Sequence, residues 1–361
     1  MASHRAKRTK LDDIGVDPQT VIVEEDGDLH LDVGHEGGEL ATYVVCSRAL
    51  ARHSPVFKAM LFGDFAEARP TDGSQWIVEV SEDNREMFPI FLNIVHGCFK
   101  DVPTKLHIQE LCALVVIVEK YDALPIIRPW LKEWMDQAAE WSDIGYSSHL
   151  VCLAWVTGHR AIFENNVRNV IYNCYGSEQE LFHDFQFFDH EALHPPGLFE
   201  YLAKLREDVL QAIMRPFLDL YYQLTVDKRS TESPVARTCV HPDEAEQFDC
   251  ESLLLGSLMI SFTRRGLDIT QKEFKYNEDL KGLKKEIDNM RIQTDSNHDE
   301  CASLVSQYID KGRLEEERLI TEAVFVRLEH LEHLQKQAKK TGLDEHNQAG
   351  SVKHRYLTPE A

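Results

Sequence analysis

Apolar and polar residues first fall into register at Leu29, Leu31 and Val33, which are separated by His30 and Asp32. That period of two predicts a half-buried strand. Gly34–Glu39 holds three glycines and two acids and marks a turn. Leu40–Val45, with Tyr43, Val44 and Val45, predicts the returning strand of a hairpin. The spacing then becomes helical. A short helix is expected over Arg48–Arg52. Ser54 can cap a second one, with Pro55 in its first turn, where a missing N–H costs nothing. Phe57, Met60 and Leu61 share a face of that helix, and Gly63 marks its end. After the turn cluster Thr71-Asp72-Gly73-Ser74, residues Trp76, Val78 and Val80 line one face of a third strand. Asn84 can cap a helix ending near Gly97, and Pro89 requires that helix to kink or to start late. Leu111–Tyr121 and Pro125–Trp134 continue as helices.

From Asp143 onward the pattern is helical. Leu150, Leu153, Ala154 and Trp155 begin one helix, and Val167, Val170, Ile171 and Cys174 line another. A third covers Leu198–Leu224, with Leu202, Leu205, Val209, Ile213 and Leu220 at three- and four-residue steps. Asp227–Val240 has the composition of a linker, and Leu253–Met259 reads as a buried helix or hinge. Ile320, Val324, Leu328, Leu331 and Leu334 form a stripe beside Glu315–Arg318; it is too short for a coiled coil and predicts a helix docked on its own protein. His330 and His333 sit among charges and are expected to be solvated. The fold class is therefore α+β. The expected organisation is a tail over 1–18, a sheet-and-helix domain over 19–140 and a helical domain over 141–226. A linker with a Cys/His cluster (227–252), further helices (253–340) and a second tail (341–361) follow.

Composition narrows the function classes. An apolar fraction of 43% allows a sizeable core. Lysine and arginine total 39 against 61 acids, a net charge of −22, which repels phosphate backbones and argues against nucleic-acid partners. No apolar run approaches membrane-spanning length, Leu111–Val118 being the best, and the first residues form no apolar signal segment. Eight cysteines are scattered, with Cys98, Cys112, Cys152 and Cys174 in apolar stretches, which fits reduced thiols in a cytoplasmic or nuclear protein. Lys7-Arg8-Thr9-Lys10 is a basic cluster of the kind read by nuclear import receptors.

Five separated segments agree with one known pattern. Leu50 is followed by Ser54 and then by Phe57; Gly63-Asp64-Phe65-Ala66-Glu67 comes next. Trp76–Val80, Ile94-Val95-His96-Gly97 and Glu119-Lys120-Tyr121-Asp122 complete it. In order and spacing residues 19–140 resemble a BTB/POZ domain, fungal members in particular. The resemblance implies a small sheet flanked by helices, with Leu50, Ser54, Phe57, Gly97 and Tyr121 as the core motif. It also implies a protein-binding role, either as a substrate adaptor of cullin-type ubiquitin ligases or in recruiting transcriptional partners in the nucleus without ligase function. Cullin-binding members carry a hydrophobic residue, any residue and glutamate after the second helix, and Phe65-Ala66-Glu67 has that form. An exposed Phe65 could fill a pocket on a partner while Glu67 fixes register; alternatively Phe65 folds back on its own core. Two positions depart from the pattern: Cys46 stands where a histidine is usual and His96 where a tyrosine is common. Residues 1–18 are also too short and polar for the helix that many members exchange to make a homodimer.

Catalytic chemistry is thin. His190-Glu191-Ala192-Leu193-His194 has the spacing of a zinc hydrolase, with Glu191 as base and Gly197 and Glu200 placed further on, but Pro195 and Pro196 push residue 194 off helical backbone. Cys239, His241 and Cys250 have ligand chemistry suited to zinc. Three ligands leave that site one short, with Cys174 or His194 as distant candidates, so nearby buried thiols are the expectation. Gly34–Gly38 matches no phosphate-binding loop, and no serine nucleophile elbow occurs. The reading is of an interaction protein without enzyme activity or cofactor.

Overall fold

A computed structural model describes residues 20–34, 41–80, 82–140, 146–173, 193–225, 238–271, 274–295 and 298–343. The chain divides into two compact units. One comprises residues 1–141, 152–161 and 332–361, the other residues 142–151 and 162–331.

The first unit carries a four-stranded sheet of order β1-β3-β2-β4: β1 (Val21–Ile22), β2 (Leu29–Val33), β3 (Ala41–Val45) and β4 (Ile77–Val80). The expected hairpin is present, β2 and β3 pairing antiparallel from Leu29 opposite Val45 to Val33 opposite Ala41. β1 runs parallel to β3, and β4 parallel to β2. Alternation decides the buried face: Leu29, Leu31, Val33, Ala41, Tyr43, Val45, Val78 and Val80 are buried, with Trp76 just ahead of β4. Helices α1 (Ser47–His53), α2 (Pro55–Phe62), α3 (Phe88–Val95), α4 (Ile108–Lys120) and α5 (Arg128–Ala139) complete the N-terminal part. Pro89 is resolved by a late start: Asn84 Oδ1 accepts the amides of Glu86 and Met87 in a preceding turn, and α3 begins at Phe88. Gly97, at φ 76°, closes α3 by letting its own amide reach the Ile94 carbonyl and that of Cys98 the Asn93 carbonyl.

Ser54, Phe57 and Tyr121 form a single clasp. Ser54 Oγ accepts the Phe57 amide at 2.9 Å as N-cap of α2 and donates to the Tyr121 carbonyl at 2.6 Å. The Phe57 and Tyr121 rings stack with centroids 4.2 Å apart, and Phe88 and Phe91 pack around Tyr121. Leu50, Ser54 and Phe57 are wholly buried. Beyond them, Asp83 takes the Tyr121 hydroxyl on one oxygen and the Lys120 ammonium, at 2.9 Å, on the other. Burial first, and the Asp83 charge second, raise the Tyr121 phenol well above its ordinary value.

The same unit includes part of α6 (Ser147–Thr157) and, from Glu332 onward, α12 (Leu328–Thr341). Gly158, at φ 80°, has the backbone of α12 against it: a Cβ there would lie 2.1 Å from the Ala338 nitrogen. Thr341 Oγ1 donates to the Thr157 carbonyl at 2.8 Å, and Lys340 meets Asp122 at 3.3 Å. His333 stacks on Trp155 at 3.7 Å, and His330 is buried, so neither is the solvated histidine that its charged neighbours suggested.

The second unit is helical: α7 (Arg160–Asn173, from Ile162), α8 (Leu198–Thr225), α9 (Glu244–Thr263), α10 (Leu280–Asp288) and α11 (Asp299–Glu322). α8 buries Leu202, Leu205, Val209, Ile213 and Leu220, as their spacing predicts. Polar nodes tie the helices together. Glu316 on α11 is buried and accepts from Tyr172 at 2.8 Å and from Lys284 at 2.6 Å. Buried Arg206 holds the Glu278 carbonyl at 2.6 Å.

Two expectations change. The stripe Ile320–Leu334 is not one helix: α11 ends at Glu322, Ala323 is extended, and α12 starts at Leu328. Val324 and Leu328 are accordingly exposed while Leu334 is buried. The span 227–252 is not linker throughout, because Asp243 caps α9 through the Ala245 and Glu246 amides. Leu253–Met259 lies inside that helix, the first of the two readings it allowed. Residues 1–19, 226–237 and 344–361, where the two tails and the first part of the linker were expected, lie outside the described residues.

Removing the clasp hydroxyl leaves both the Phe57 amide and the Tyr121 carbonyl without their buried partner. Ser54→Ala is expected to lower stability by about 2–3 kcal/mol, read by urea unfolding. Gly158→Ala combines a left-handed backbone with overlap on α12 and is expected to cost about 2 kcal/mol or more in the same assay.

Candidate functional sites

The turn after α2 is built by its anchors. The Ala68 amide donates to the Phe65 carbonyl at 3.1 Å, and the Trp76 indole donates to the Glu67 carbonyl at 2.8 Å. Trp76 is itself buried, with Phe62 edge-on at 6.0 Å and Arg69 above its ring. With Glu67 tied down through its backbone, Phe65 points away from the core: it is 59% exposed, and Phe62, three residues earlier, is 51% exposed. The alternative in which Phe65 covers its own core is excluded. Glu67 is half-buried.

The two departures from the family pattern meet. The Cys46 amide donates to His96 Nε2 at 3.0 Å, and His96 Nδ1 lies 2.9 Å from the Leu92 carbonyl. A carbonyl can only accept and an amide can only donate, so the imidazole is neutral with its proton on Nδ1. Burial is the largest cause holding its pKa below the ordinary value; nearby Glu24 opposes this and His53 adds to it.

The second cluster lies in the helical unit. Cys239 precedes α9, Cys250 is on its second turn, and His298 and Cys301 are at the start of α11. All four are buried, and their ligand atoms lie within 4.8 Å of one another. His298 Nδ1 faces Cys239 Sγ at 3.5 Å. His241, expected as a ligand, is not in this group. It stacks on His298 at 4.6 Å, its Nδ1 accepts the Asp243 amide at 3.2 Å, and its Nε2 faces Glu246 at 3.1 Å. The partners that complete the set are thus His298 and Cys301, not Cys174 or His194. His298-Asp-Glu-Cys301 has the three-residue ligand spacing that could have shown them.

The hydrolase motif gains nothing. His190, Glu191 and Cys174 lie outside the described residues. His194 sits ahead of Pro195 with its ring on Phe199 at 5.8 Å, so it does not extend a helical ligand face. Gly197 is left-handed and Glu200 is exposed in the first turn of α8. Among the described residues no helix is long and apolar enough to cross a membrane. No protein-family model matches the chain, and no curated protein matches it.

The His96 pair gives a pH dependence with a defined sign. Its folded pKa is depressed, so its contribution is full above the unfolded value of about 6.5 and is lost as pH falls through the folded value. His96→Gln keeps an acceptor for Cys46 without a titrating group. The fall in urea-unfolding stability between about pH 7.5 and about pH 5.5, either side of the ordinary imidazole value, should be smaller in the variant than in the wild type.

Proposed function

We propose that the chain is a non-catalytic interaction protein whose residues 19–140 form a BTB/POZ-type unit, acting as a substrate adaptor of a cullin-type ubiquitin ligase. The observation that carries this reading is Phe65, an aromatic side chain 59% exposed on a turn whose backbone is fixed by Trp76. A rigid turn loses little entropy on binding, and an exposed aromatic supplies most of what a small interface needs. The Ser54 clasp supports the reading from beneath, because it joins the serine, phenylalanine and tyrosine of the resembled pattern in one buried arrangement. Glu67, next but one to Phe65, supplies a carboxylate for register. The net charge of −22 favours a partner with a basic face.

The test is direct binding of the full chain to a purified cullin N-terminal domain. Phe65→Ala with Glu67→Ala is expected to weaken binding by about 30-fold or more, the scale of a hot-spot loss of about 2 kcal/mol. Because Phe65 is exposed, Phe65→Ala alone should leave urea-unfolding stability within about 0.5 kcal/mol. No binding by the wild-type chain removes the adaptor reading.

A further inference from the structure

We propose that Cys239, Cys250, His298 and Cys301 hold one zinc ion in a closed tetrahedral site that fastens the start of α9 to the start of α11. Three sulfurs and one imidazole nitrogen converge, all buried, from three separate stretches of chain. Thiolate and imidazole are the ligand types that select zinc, and four protein ligands leave no open position for substrate. The spacing suits the ion. Zinc–sulfur bonds of about 2.3 Å and zinc–nitrogen bonds of about 2.0–2.1 Å set tetrahedral S···N edges near 3.5 Å and S···S edges near 3.8 Å. The observed Cys239 Sγ to His298 Nδ1 separation is 3.5 Å.

The surroundings are those of a ligand set. His298 turns Nδ1 to the sulfurs, and its Nε2 faces the Glu246 carboxylate at 3.9 Å, a group placed to fix ring orientation. His241 stacks on the face of that ring. Gln247 Nε2 donates to the Cys239 carbonyl at 2.5 Å, and Glu251 accepts the Cys239 amide at 3.2 Å, so the first ligand's backbone is held from α9. None of the three cysteines is in a disulfide. An apolar packing role accounts for three small buried sulfurs, but not for a buried imidazole turning a ring nitrogen into their midst.

On binding, the ion displaces a proton from each of three thiols, and the protons leave to solvent; no electron is transferred. The product is a zinc tris-thiolate imidazole centre carrying one net negative charge, with the Glu246 carboxylate at its rim. Its role is structural. The two segments it joins are separated in sequence by all of α9 and α10, so the ion closes a long loop between the two helix starts.

The probe is metal analysis of the full chain expressed with zinc in the medium. The expected result is about one zinc ion per chain, falling below about 0.2 in Cys301→Ser and in His298→Ala and unchanged in Cys152→Ser, a buried cysteine of the first unit. Should the cluster variants fail to fold, cobalt(II) added to the metal-depleted wild-type chain decides the matter. A sulfur-to-cobalt charge-transfer band with tetrahedral visible absorption, displaced by zinc, supports the site. The proposal is overturned by wild-type chain that carries no zinc and gives no thiolate–cobalt band, by zinc retained in folded Cys301→Ser, or by a disulfide among the three cysteines in freshly purified protein.

Discussion

Much of the N-terminal unit depends on one buried hydroxyl. Ser54 is enclosed in an apolar centre, where a polar group without partners costs about 1–3 kcal/mol. It is tolerated because both of its bonding functions are used, one on the Phe57 amide and one on the Tyr121 carbonyl. Those two bonds set the start of α2 against the end of α4, two points far apart in sequence. Once they are set, Phe57 must stack on Tyr121, and Tyr121 must present its hydroxyl to Asp83. Asp83 in turn can stay buried as an anion because Lys120 supplies the compensating charge. A run of polar contacts inside an aromatic core specifies one arrangement, since any other leaves a donor or a charge unmet.

How much of this is legible in the sequence follows from the range of each signal. Strand alternation at Leu29–Val33 and the Ser54 cap with Pro55 behind it are local, and the structure has both. Asp83 is invisible because nothing nearby in sequence marks a carboxylate that meets its partners 37 and 38 residues later. The Cys/His cluster is half hidden for the same reason. Cys239 and Cys250 stand out, but proximity in sequence favours His241, whereas the ring that meets the Cys239 sulfur belongs to His298, 59 residues away. The stripe from Ile320 to Leu334 misleads by a different route. Apolar spacing carries no punctuation at Ala323–Arg327, where no glycine or proline announces the break.

His330 and His333 show why charge around a residue is a poor guide to its own exposure. Glutamates in the first half of α12 and lysines in the second surround the histidines with charge, yet a helix has two faces, and both histidines fall with Leu334, Gln337 and Ala338 on the inner one. The close approach of α12 to Gly158 enforces that choice. With backbone against backbone there, Thr341 can reach the Thr157 carbonyl and Lys340 can reach Asp122. The acidic and basic residues left over then face outward, where water solvates them at little cost.

The two candidate sites differ in what each leaves free. At the Phe65 turn the backbone is pinned and the side chain is left in water, the condition for recognising another surface with little loss of freedom. At the cysteine cluster the side chains are enclosed and every ligand direction is inward, the condition for holding an ion and excluding everything else. Catalysis needs an intermediate arrangement, a reactive group both pre-positioned and reachable by substrate. The neutral His96 is positioned, but both of its nitrogens are engaged with the backbone. Tyr121 is raised in pKa and buried, and the cluster sulfurs are buried as well. Each of these groups has given up access in exchange for structure, whereas Phe65 stays exposed on a turn fixed through Trp76.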